Sequence, residues 1–152
     1  MRVADYIVSL QAQEARLARV LEALSAGHSA EPDVRATGQL LASWSRQHAQ
    51  ALSTLNARYP PAETPQPVQP PAMPLQVPRQ GDHALLLDLH EAWLLAQEVH
   101  LRWTVLGQAA RALRDGQLAA LCAELGVDTD RQLAWLHTRI VAAAPQALIA
   151  AP

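Results

Sequence analysis

The chain has 152 residues, the size of one domain, with 50% hydrophobic and 17% charged residues, which is enough apolar material to fill a core and excludes a disordered tail. Its formal charge of -2 is spread along the chain among arginines, so neither the basic footprint of a nucleic-acid binder nor that of an anionic-membrane binder is present. No run approaches the ~20 apolar residues of a membrane span, and Asp5 and Glu14 interrupt the N-terminal stretch where a secretory signal would be apolar. These features predict a cytoplasmic protein, and the single cysteine, Cys122, fits a reducing compartment. Every basic side chain is Arg, none is Lys and Phe is absent, which reads as the coding bias of a GC-rich bacterium.

From Val3, the residues Ile7, Leu10, Glu14, Leu17, Leu21 and Leu24 recur at three- and four-residue steps and predict a first helix to about Ala26. Gly27-His28-Ser29 is a short turn. Glu31-Pro32-Asp33 then resembles a helix start, with Pro in the first turn and acids at the positive end of the helix dipole. A second helix carries Leu41, Trp44, His48, Leu52 and Leu55 on one stripe and ends near Arg58. So short a loop predicts antiparallel neighbours.

Residues 59–80 hold eight of the eleven prolines, a density that forbids helix and favours extended backbone. At ~3.1 Å per residue this stretch reaches over ~60 Å, enough to run the ~40 Å of a 27-residue helix, so it is predicted to be a packed crossover within a single domain spanning 1–152. The alternatives are a mobile linker or a segment that is a ligand for another protein.

A third helix is predicted from Gly81-Asp82, with Asp82 as its cap and Leu87, Glu91, Leu94, Glu98, Leu101, Val105, Ala109 and Ala112 as its inward stripe. Asp115-Gly116 stops it. A fourth carries Leu118, Leu121, Cys122, Leu125, Leu133, Leu136 and Ile140, with a weak point at Gly126-Val127-Asp128 and a halt at Pro145. With no alternating strand pattern, the expected fold is an all-α four-helix bundle of two antiparallel hairpins joined by the Pro-rich crossover.

Polar residues on apolar stripes mark candidate chemistry, because burying a charge or an imidazole is costly unless something pairs with it. Glu14, His48, Glu91, Glu98 and His137 qualify. If each hairpin turns where predicted, Glu14 falls within a turn of His48, and His137 falls between Glu91 and Glu98 in depth.

On these residues the chain resembles the ferritin-like superfamily over about residues 3 to 144. Di-metal members of that superfamily place one Glu on the first and third helices and Glu-x-x-His on the second and fourth. The resemblance implies Glu14 and Glu98 as the lone acids and His48 and His137 as the imidazoles. Ser45 and Ala134 stand where the two bridging acids would be, so a di-iron oxidase is not implied. What remains is either a set of satisfied core groups or a mononuclear Zn, Fe or Mn site made by Glu14, His48, Glu98 and His137.

The expected function is therefore a non-enzymatic, stress-associated or partner-binding bundle, with a mononuclear metal or redox enzyme and a Pro-rich interaction module as alternatives. No catalytic residue is assigned. His90, His100, Trp93 and Trp103 on the third helix are a weaker candidate for a ligand cleft. Cys122 reads as an inert buried thiol. Trp44, Trp93, Trp103 and Trp135, with the apolar tail after Gln146, predict a homodimer.

Overall fold

A computed structural model describes residues 2–64 and 80–150. It contains four long helices: α1 (Val3–Gly27), α2 (Pro32–Thr54), α3 (Asp82–Ala112) and α4 (Gly116–Pro145). A 3-10 turn, Leu55–Ala57, extends α2, and one π turn, Gln146–Ala150, extends α4 past Pro145. The described residues include no strand, and none of their helices is long and apolar enough to cross a membrane.

Each helix end has a local cause. Pro32 begins α2, where its missing N–H costs nothing. Asp115, predicted as a stop, is in fact the N-cap of α4 and accepts the Leu118 backbone N–H at 3.0 Å. The turn before it is made by Arg114 in the left-handed region, φ 57°. Asp82 does not cap α3: it is the first helical residue, preceded by Gly81 at φ 98°, a conformation open to a residue with no Cβ, and its carboxylate accepts from Gln146 instead. At Gly126-Val127-Asp128, α4 runs on without a break.

Three contacts set the helix directions. Asp115, in the turn between α3 and α4, holds Arg58 Nη2 and Tyr59 Oη, each at 2.5 Å, so the end of α2 lies beside that turn. His28, in the turn between α1 and α2, meets Asp88 near the start of α3 at 2.7 Å. Arg139, late in α4, reaches Glu31 at 3.1 Å and Asp33 at 2.8 Å. Thus α1 and α4 run one way and α2 and α3 the other. The stretch expected as the crossover falls mostly outside the described residues, but Tyr59 and Gly81, on either side of it, stand at opposite ends of α3.

All four helices supply one core. Ile7, Leu10, Leu17 and Leu21 of α1 are fully buried, as are Leu52 of α2, Leu89 of α3 and Leu118 and Leu136 of α4. α1 packs on α2 and α3, and α3 on α4. The α1–α2 approach is closest at Gly38, where a Cβ would stand 3.0 Å from Ser25 Cβ and 3.2 Å from the Leu21 carbonyl oxygen.

The inward stripe expected on α3 is wrong by half a turn of the helix. Leu94, Leu101 and Val105 are exposed, while the core is built from Leu85, Leu86, Leu89, Ala92, Ala96, Val99, Trp103, Leu106 and Ala110. Both series recur at helical spacing, so α3 is apolar on two opposite faces, and periodicity could not tell which one the neighbours cover.

Candidate functional site

Several buried polar groups, Glu14, Ser45, His48 and Gln132 among them, meet between the helices. Glu14, in the fourth turn of α1, is 0% exposed, and His48 of α2 is 2% exposed. Antiparallel packing of α1 on α2 brings them together as the sequence predicts, with His48 Nδ1 to Glu14 Oε1 at 2.9 Å. The same carboxylate oxygen accepts the indole N–H of Trp103 at 2.7 Å. On its other side, His48 Nε2 meets Asp128 Oδ2 of α4 at 3.1 Å. The Trp103 ring stands edge-on to the imidazole, with centroids 6.1 Å apart and planes at 87°.

One turn away, Gln132 of α4 donates to Ser45 Oγ at 2.9 Å and to the Leu41 carbonyl at 3.0 Å. The hydroxyl of Ser45, three residues before His48, is thus already bonded. Buried oxygens without a hydrogen-bond partner include Glu14 Oε2 and Gln132 Oε1.

His48 is held in its protonated form more firmly than a free histidine. Burial pulls its pKa down, but the hydrogen bonds and negative charges of Glu14 and Asp128 outweigh burial and raise it above the ordinary 6.5. The pair therefore contributes stability that is complete below pH ~6.5, where unfolded His48 is also protonated, and that is lost as pH rises through the higher folded-state value. We expect the urea midpoint to fall as pH rises above about 6.5 in the wild-type chain and that part of the fall to vanish in His48→Gln. An unchanged slope in the variant would place the effect elsewhere.

The other two expected metal ligands are not in this group. Glu98 bonds Arg102 Nε at 2.6 Å, and Arg102, itself 5% exposed, goes on to Ser9 Oγ at 2.9 Å and lies over the Tyr6 ring. His137, expected at the core edge, is exposed on α4, where the buried line is Leu125, Thr129, Gln132 and Leu136. Among the described residues, no three His, Cys, Asp or Glu side chains stand so as to share one metal ion. The four residues thus do not converge.

Of the cleft candidates, His100 and Trp103 line a groove of about 200 Å3 between α3 and α4, along with Gly107, Cys122, Gly126 and Val127. His100 pairs there with Asp130 at 2.8 Å. His90 is exposed and Trp93 is half-buried against the core. Burial pushes the Cys122 thiol up to about 11, so it is not a thiolate near neutral pH.

Trp103, Asp128 and Gln132 were missed as polar partners. In the sequence Trp103 reads as part of the cleft candidate, Asp128 as part of a weak point in the fourth helix, and Gln132 carries no mark. The only signal was that Asp128 precedes Gln132 by one turn, and that acquires meaning only once α4 is known to lie against α2. No family model, no curated protein and no solved structure matches the chain.

Proposed function

We propose that the protein is a non-enzymatic, partner-binding four-helix bundle of ferritin-like arrangement, in which the place of a di-metal centre is taken by a closed Glu14–His48–Asp128 relay with Trp103. The observation that carries this reading is the occupancy of His48: both ring nitrogens are within hydrogen-bond distance of carboxylates, so neither is turned to an open coordination position or to a substrate. The directions of α1, α2, α3 and α4, and the placing of Tyr59 and Gly81 at opposite ends of α3, support residues 59–80 as a crossover between the two hairpins.

Metal analysis of protein purified without chelator tests the reading. The expected result is less than ~0.1 equivalent of Fe, Zn or Mn per chain, unchanged in His48→Ala, since a site needs its ligands within about 2.0–2.3 Å of one ion. Stoichiometric metal that disappears in His48→Ala would overturn it and favour a mononuclear enzyme.

A further inference from the structure

The molecule has two unlike sides. Among the described residues, the large apolar side chains left exposed include none on α1 and only Leu40 on α2, whereas α3 exposes Leu94, Leu101 and Val105 and α4 exposes Val127 and Val141. None of the residues that α3 exposes between His83 and Gln108 is Asp, Glu or Arg. Glu91 and Glu98 stand half-buried along one edge, with Glu98 tied to Arg102. A surface helix normally turns charge to water, and loss of charge at the centre of a face is what distinguishes protein interfaces from ordinary surface.

A second observation comes from two glycines in the groove beside that ridge. Glycine inside a helix costs up to ~1 kcal/mol relative to Ala, so it normally marks a close approach. At Gly38 the approach is visible within the chain. At Gly126 a Cβ would meet nothing within 4 Å, and at Gly107 it would meet only Cys122 Cβ at an ordinary 3.4 Å. The chain's own packing therefore requires neither glycine, and with Ala119 and Ala123 they keep the groove between α3 and α4 open.

We propose that the outer face of the α3–α4 hairpin docks a second copy of this chain, the Leu101 and Val105 ridge of each copy entering the Gly107 and Gly126 groove of the other. A ridge lying beside a groove on one surface is self-complementary under a two-fold axis, the symmetry of most homodimers. The area is sufficient: 31 residues of α3 run ~46 Å, and two packed helices are ~20 Å wide, giving a footprint of ~900 Å2 per copy against the ~800 Å2 per partner of a standard interface. Leu94 continues the ridge and Val127 forms the opposite lip.

This deepens the partner-binding reading and rests on it. The test is the mass of the full chain by sedimentation, which reads self-association independently of metal content. We expect twice the 16.5 kDa of one chain at ~100 µM, and at least ~100-fold weaker association both in Leu101→Glu/Val105→Glu and in Gly126→Glu. The Gly126 substitution enters open space and improves helix propensity, so it keeps the fold and separates docking from folding. Leu40→Glu should leave the mass unchanged. A wild-type monomer at ~100 µM overturns the proposal and leaves the face to a partner of another kind. So does a dimer that persists in Gly126→Glu.

Discussion

Replacing His48 by Leu is expected to lower the unfolding free energy by about 3–5 kcal/mol, read as the shift of the urea transition followed by helical circular dichroism at pH 7. The size follows from what is left behind. Glu14 is 0% exposed, already has one oxygen without a partner, and in the variant would keep only the Trp103 N–H for its charge. A buried carboxylate that loses its counter-charge is among the costliest changes a core can suffer, whereas loss of the imidazole's own packing would account for only part of it.

A second substitution separates the two contributions. Glu14→Gln placed on His48→Leu removes the stranded charge but keeps an acceptor for Trp103, so the double variant should regain about 1–2 kcal/mol over His48→Leu alone. If the two losses simply add, the Glu14–His48 pair is not the coupled unit that its geometry indicates.

Trp103→Ala is the other large effect. Trp103 is 1% exposed and sits where α3 faces α1, so truncation should cost about 3–5 kcal/mol through the cavity it leaves. Trp103→Phe retains most of the ring but not the N–H that reaches Glu14. It should cost about 1–3 kcal/mol, the loss expected when a buried acceptor is left without its donor. A silent Phe variant would show that the indole nitrogen does not hold the carboxylate. Equal losses in Phe and Ala would show that ring volume contributes little.

The fold and the site were legible to different depths. Four helices could be read from local signals: the three- and four-residue recurrence of Ile7, Leu10, Leu17 and Leu21, Pro32 opening α2, and a turn at Asp115. The Glu14–His48 contact could be read too, because a hairpin with a short turn fixes depth by counting residues from the turn, whatever packs around it. Counting also placed His137 beside Glu91 and Glu98, and there it failed. Depth locates a residue along a helix but not around it, and α4 turns His137 to solvent while presenting Leu125, Thr129, Gln132 and Leu136 to the core.

The same limit decided α3. Its sequence determines a helix with two apolar faces, Leu89–Ala96–Trp103 on one side and Leu94–Leu101–Val105 on the other, because periodicity records spacing and nothing more. Which of the two is core depends on where α1 and α4 lie, and only the packed molecule settles that. By itself the sequence determined the four helices of the described residues, their approximate bounds and the pairing of Glu14 with His48, all set by contacts between near neighbours or across one turn. The tertiary structure decided that Trp103 and Asp128 complete the relay, that Glu98 belongs to Arg102, and that an apolar ridge on α3 faces outward, since each depends on how the two hairpins pack against each other.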